Sequence, residues 1–199
     1  MSISKKIRLA EENDSVSLLN IYSEFIRNTA VTFETAVPTV LEFSKRIRDV
    51  LESSPWLVCE INGENIGYAY ASKHRERSAY QWSVDVTVYI NPQYHRRHIA
   101  TALYIALIEL LKIQGYYSAY AGISLPNLNS EGFHESFGFK PVGVFHNVGF
   151  KFGEWRDVKW FELTISEYSK NPAKPKTINE IKDAEEFENI IKKAIQIIK

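Results

Sequence analysis

Between Ser83 and Gln114 the chain reads SVDVTVYI, then NPQYHRRH, then IATALYIALIELLKIQ. The first piece alternates around Val84, Val86 and Val88 and belongs to a long strand over AYQWSVDVTVYI. The last is a helix with Gly115 as its stop. A strand therefore delivers the chain through a basic run straight into a helix. Helix N-termini carry unpaired N–H groups and the positive end of the dipole, and a loop curling before one can aim several N–H groups at an anion. Arg96 and Arg97 add charge. The corner reads as a phosphate cradle or, equally well on mechanics alone, as a solvated basic turn.

The flanking segments limit the architecture. KKIRLA is a first strand, and Val16, Leu19, Ile21, Tyr22 and Phe25 recur at helical spacing behind a cap at Asp14 or Ser15. TVLEFSKRIRDVL is a second helix, with Thr39 and Glu42 in capping-box register. Two apolar runs joined at Asn62-Gly63 make a hairpin. YSAYAGISL is a strand, NLNSEGFHESFGF a short helix ending near Gly138, and two more strands flank KFGEW. The order predicts an α/β fold with a mixed sheet, over residues 1–168. Residues 169–176 are a Pro/Lys linker, and 177–199 an amphipathic helix with Ile178, Ile181, Ala184, Phe187, Ile190, Ile191 and Ala194 on one stripe. That stripe needs its own domain, a second subunit or another protein to cover it, and the first two are preferred.

Acidic and basic residues balance at 24 each, so nothing global draws the chain to nucleic acid or anionic lipid. The single cysteine, Cys59, lies in a buried strand pattern and reads as a packed thiol. It rules out an intramolecular disulfide and a cysteine-rich zinc site, and no metal is expected. The N-terminus lacks the apolar core of a signal peptide and no apolar run is long enough to span a bilayer, so a cytoplasmic protein without a membrane partner is expected.

The run His95-Arg96-Arg97-His98-Ile99-Ala100 resembles the pyrophosphate loop of the GCN5-related N-acetyltransferases (GNAT), whose pattern is Gln/Arg-x-x-Gly-x-Gly/Ala. The resemblance covers roughly the first 165 residues. Its ordered segments IYSEFI…TFET, PWLVCEINGENIGYAYASKHRERSAYQWSVDVTVYI, ISLPNLNSEGFHESFGF and GFKFGEWRDVKWFEL are similar to the phosphinothricin acetyltransferase-like branch. Two positions depart from the pattern: His95 replaces Gln or Arg, and His98 replaces the first Gly, adding a Cβ where room and unusual backbone angles are needed.

The resemblance implies a GNAT fold: a mixed central sheet splayed in the middle and flanked by helices, here with an extra C-terminal helix. It implies acetyl-CoA as co-substrate, held by Val88, Tyr89 and Ile90 as an added strand would be, by His95, Arg96, Arg97, His98, Ile99, Ala100 and Thr101, and by Asn127. Asp85, where the branch has Glu, and His134 are the catalytic candidates, without a decision on which removes the amine's proton. His74 and His146 have no such context and are expected at the surface. Phe33, Arg75, Glu76, Arg77, Tyr80 and Thr87 fall in substrate-contacting segments; guanidinium groups there suit a carboxylate or phosphinate. Phe33, Tyr80, Trp82 and Trp155 are candidates to wall a small pocket.

The implied activity is acetylation of the α-amine of a small amino-acid-like molecule of the phosphinothricin, methionine sulfoximine or methionine sulfone type, by direct attack in a ternary complex. Other acceptors, a protein N-terminus or a polyamine, and a non-catalytic binding role are the alternatives. A homodimer is expected from the family's habit and the Ile-rich tail.

Overall fold

A computed structural model describes residues 3–199. Seven strands form one sheet in the order β1-β2-β3-β4-β5-β7-β6. They are β1 Lys5–Leu9, β2 Trp56–Ile61, β3 Glu64–Lys73, β4 Ser83–Ile90, β5 Ser118–Ser124, β6 Lys140–Lys151 and β7 Glu154–Thr164. Every pairing is antiparallel except β4 with β5. The helices are α1 Ser15–Asn28, α2 Val40–Leu51, α3 Ile99–Gln114, α4 Leu128–Ser136, α5 Ile178–Ile181 and α6 Glu185–Ile195.

Local chemistry sets the boundaries. Asn62 and Gly63 both take positive φ between β2 and β3, as a two-residue hairpin requires. Thr39 and Glu42 close a reciprocal capping box on α2. Gly115 ends α3 in the left-handed region. Asp14 precedes α1 but does not cap it; its carboxylate is taken by Arg8, at 2.7 and 2.8 Å, and by the Glu11 N–H.

The sheet is covered on both faces. Leu18, Ile26, Phe43 and Ile47 of α1 and α2 pack on Trp56, Val58 and Tyr68. Leu103, Leu107, Leu110 and Leu111 of α3 pack on the other face, over Leu57, Ala69, Val84 and Val86. Cys59 lies in that second core, and burial pushes its thiol up to about 12, which fits a packed thiol.

Two expectations change. The strand before the basic run starts at Ser83, not Ala79, because Ser78–Tyr80 form a 3-10 turn. The tail is two helices, not one: Ala184 is an exposed N-cap in extended conformation and interrupts the stripe. The remainder docks on the same chain. Ile178, Ile181, Ala194 and Ile198 join the core beneath α3, each buried isoleucine contributing about 1.5–3 kcal/mol. The linker is tied down as well, Trp82 Nε1 donating to the Ala173 carbonyl and Gln114 Nε2 to that of Lys176.

Candidate active site

The sheet opens in its middle. β4 pairs with β5 only at Ser83–Ser118, Val84–Ala119 and Asp85–Tyr120. Beyond Asp85, β4 keeps its partner β3 as far as Ile90, while β5 keeps β7 as far as Ser124. The strands part, leaving a slot with Asp85 at its closed end. A cavity of about 750 Å³ occupies it.

This cavity passes through the sheet. Thr101, Tyr104, Phe133 and His134 line it on the side of α3 and α4. Phe25, Val31, Thr87 and Tyr89 line it on the side of α1, where Tyr89 packs on Tyr22 and Phe25 with ring centroids 4.8 and 5.0 Å apart. Its lining thus comes from both faces of the sheet and from both parted strands.

The basic run forms the rim on the α3 side. His95, Arg96, His98, Ile99, Ala100 and Thr101 line the cavity, as do Val88, Tyr89, Ile90 and Asn127. Arg96 (φ 62°) and His98 (φ 59°, ψ 19°) are both left-handed. His98 thus adopts the backbone conformation for which a glycine is usual, at the position directly preceding the N-terminus of α3. Its side chain is exposed and caps nothing. The His95 ring lies 3.2 Å from the Ile90 carbonyl. Arg97 does not line the cavity; its guanidinium lies over Tyr94, 5.1 Å from the ring centre, and its carbonyl accepts from the Lys199 N–H at 3.0 Å. Asn127 spends its side-chain oxygen capping α4 at Ser130 N, which leaves its amide NH₂ as donor.

His134 is buried, 5% exposed, not at the helix surface. Its Nδ1 is 2.7 Å from the Ser130 carbonyl and its Nε2 is 2.9 Å from the Tyr104 hydroxyl. A carbonyl only accepts, so Nδ1 carries the proton and Nε2 accepts from Tyr104. Burial lowers the imidazole below the ordinary histidine value, opposed in part by the Ser130 carbonyl, and raises Tyr104. The neutral ring and the protonated phenol are the resting forms. Tyr104 has no sequence signature: it is one apolar-looking position in an apolar helix.

Asp85 stands half-buried at the closed end, on the same strand face as Thr87. Desolvation pushes its carboxyl above the usual carboxylate range, while His74 and Arg75 pull it back. His74 is no surface residue. Its Nδ1 lies 2.6 Å from Asp85 Oδ1, and its side chain is only 13% exposed. The sequence reading missed it because β3 ends at Lys73, and nothing in the sequence shows the chain folding His74 back over the strand. His146 does lie at the surface, paired with Asp157.

Asp85 itself stands just beyond the cavity lining, and of the substrate-side candidates Phe33, Arg75, Glu76, Arg77, Tyr80 and Thr87 only Thr87 lines the cavity. Phe33 packs on Gly149. Arg75 donates to the His74 carbonyl and lies over Trp160, Glu76 lies near Lys73, and Arg77 precedes the 3-10 turn that holds the exposed Tyr80. Of the aromatic wall, Trp82 faces the linker and Trp155 packs on Phe150, largely exposed. Among the described residues no cluster of His, Cys, Asp or Glu is arranged to hold a metal, and no helix is long and apolar enough to cross a membrane.

Comparison with known proteins gives a consistent result. Residues 7–160 match the family described as the acetyltransferase (GNAT) domain. Phosphinothricin N-acetyltransferase of Streptomyces viridochromogenes is 31% identical over 88% of this chain and 94% of its own length. The L-methionine sulfoximine/L-methionine sulfone acetyltransferase of Salmonella typhimurium is 29% identical over 82% of this chain and 96% of its own. Among solved structures, a GNAT superfamily phosphinothricin acetyltransferase from Sinorhizobium meliloti in complex with acetyl-CoA superimposes with a TM-score of 0.81, at 29% identity, over 87% of this chain and 94% of that one.

Proposed function

The chain belongs to the GNAT family of N-acetyltransferases, and on that premise we propose that it acetylates the α-amino group of a small amino-acid-like substrate, of the phosphinothricin or methionine sulfoximine/sulfone type, by direct attack in a ternary complex. The observation that carries the reading is the through-sheet slot, with a left-handed basic loop and helix N-terminus at one mouth and a half-buried carboxylate at its closed end.

The donor set at the first mouth fits the diphosphate of coenzyme A. The N–H groups opening α3 and the charge of Arg96 face an anion, and Arg96 and His98 curl the backbone as such a cradle requires. Acetyl-CoA supplies the activated acetyl group. Asp85 takes up the amine's proton, directly or through one water, because only the neutral amine attacks. Its raised carboxyl makes it a better proton acceptor than a solvated aspartate. On the opposite side, Tyr104 and His134 line the cavity as a hydrogen-bonded pair, and that pair is our candidate source of the proton for the departing thiolate. Cys59 is buried in the core and no acyl-enzyme is invoked.

We further read the protein as a homodimer. The tail no longer argues for this, since it is covered by its own domain. The support is β6, an edge strand that exposes Val142, Phe145, Val148 and Phe150.

The test is release of free thiol from acetyl-CoA in the presence of an amino-acid panel that includes phosphinothricin, methionine sulfoximine and methionine sulfone, with a polyamine and an N-terminal peptide as competing acceptors. Turnover confined to the amino-acid analogues is expected. Turnover of the peptide or polyamine alone overturns the acceptor assignment, and no turnover with any amine overturns catalysis.

A further inference from the structure

Asp85 is not a lone carboxylate. Ser72 is its register partner on β3, and His74, two residues on, lies on the same face and closes over it. Tyr120 is its register partner on β5, and the His74 ring stacks on Tyr120 with centroids 4.4 Å apart and planes 21° from parallel. Tyr80 and Trp160 meet the imidazole edge-on, each 6.1 Å away. Arg75 donates to the His74 carbonyl at 2.8 Å, bracing the backbone there. The ring is thus held by groups from β5, β7 and the β3–β4 loop.

We infer that His74 is a positioning residue for Asp85: its Nδ1–H pins carboxylate Oδ1, so that Oδ2 is presented to the acceptor amine. This rests on Asp85 being the amine's proton acceptor. A carboxylate turns easily about its last torsion, and a partly desolvated one needs hydrogen bonds to settle. His74 supplies one such bond, at 2.6 Å, from a ring stacked on Tyr120. Since Oδ1 accepts, Nδ1 carries the hydrogen. An aspartate reaches less far than a glutamate, so its direction matters more, and a fixed second partner gives that direction. The charged and titratable groups facing the pair are Arg75 on the loop, Tyr80 on the 3-10 turn, and Tyr120 on β5, whose hydroxyl donates to Glu162 on β7.

The experiment is a double-mutant cycle on kcat/KM for the amine at saturating acetyl-CoA, using H74A, H74N, D85N and H74A/D85N. H74A is expected to lower kcat/KM by about 10- to 100-fold, with KM for acetyl-CoA within about twofold of wild type. H74N, whose amide can still donate to Oδ1, recovers most of that loss. In the D85N background the H74A change costs less than about twofold, because two residues acting as one unit are not additive. An undiminished H74A loss in that background, or an H74A enzyme within about twofold of wild type, overturns the role of His74. D85N with wild-type turnover overturns instead the reading of Asp85. Should H74A not fold, ¹⁵N spectra of the wild-type imidazole decide: a protonated Nδ1 is expected, and a bare Nδ1 overturns the assignment.

Discussion

The Tyr104 hydroxyl and His134 Nε2 lie 2.9 Å apart inside the core, and the Ser130 carbonyl fixes which of them donates. At rest the phenol donates to the imidazole. Protonating His134 reverses the bond: Nε2–H then donates to the phenol oxygen, and the phenolic hydrogen is no longer held by the imidazole. Tyr104→Phe removes the link and leaves a buried acceptor unpaired. Stability is expected to fall by about 1–3 kcal/mol, and kcat by at least about tenfold with little change in KM for either substrate. Denaturant unfolding and steady-state kinetics on the same preparation check both.

The same pair sets a pH window. The folded value of His134 lies below that of a free histidine, so the unfolded chain binds a proton more readily. Its contribution to stability is complete above the unfolded value, about 6.5, and is lost as pH falls from there toward the folded value. Asp14 acts lower down. Desolvation raises its carboxyl, but Arg8, the Glu11 N–H and Asn65 outweigh that and hold it below the usual range. Its contribution is present above about 3.9 and is lost as pH drops through the folded value. Urea midpoints across pH should therefore fall in two steps, with His134→Asn flattening the upper and Asp14→Asn the lower.

The side of the cavity to which we assign the acceptor has a strap. Between α1 and α2, Phe33 lies against Gly149 of β6 so closely that a Cβ built there falls 2.2 Å from the ring. Nearby, Lys151 Nζ donates to the Thr32 carbonyl at 2.8 Å. Gly149→Ala must push Phe33 away and loosen that loop, which carries Val31 into the cavity wall. KM for the amine is expected to rise about three- to tenfold while KM for acetyl-CoA stays unchanged, since the contact costs about 1 kcal/mol in orienting the acceptor. Equal changes in both constants would refute the assignment of this strap to the acceptor face.

What the sequence made legible follows the range of each interaction. The Asn62-Gly63 turn, the Thr39–Glu42 box and the Gly115 stop are local and readable from adjacent residues. The parting of β4 from β5 was expected from resemblance, and the pairing ends at Asp85 as that implies. The contacts His74–Asp85, Tyr104–His134 and Phe33–Gly149 span loops and sheet register, and no short pattern encodes them. The tail shows the limit of periodicity. Its stripe was visible, but Ala184 fits the stripe and still stands outside the helix, its backbone extended and its N–H closing a turn on the Ile181 carbonyl.

His98 is the last position where structure changes an expectation into a direction. An L-residue in the left-handed region costs about 1–2 kcal/mol, which glycine avoids. Glycine also frees the unfolded chain, at about 0.4–1 kcal/mol, so the stability of His98→Gly should stay within about 1 kcal/mol of wild type. The loop does not depend on the imidazole for its shape: the Arg97 carbonyl is held by the Lys199 N–H and the side chain of His98 caps nothing. His98 lines the cavity rim, on the approach that the proposed diphosphate would take to the N–H groups of α3. Removing its imidazole should tighten coenzyme A by about three- to tenfold, or roughly 1 kcal/mol, read as a lower Kd in calorimetry and a lower KM for acetyl-CoA at unchanged kcat. Weaker binding by His98→Gly would mean that the ring is itself a phosphate ligand, and the departure from glycine would then be a gained contact instead of a tolerated obstruction.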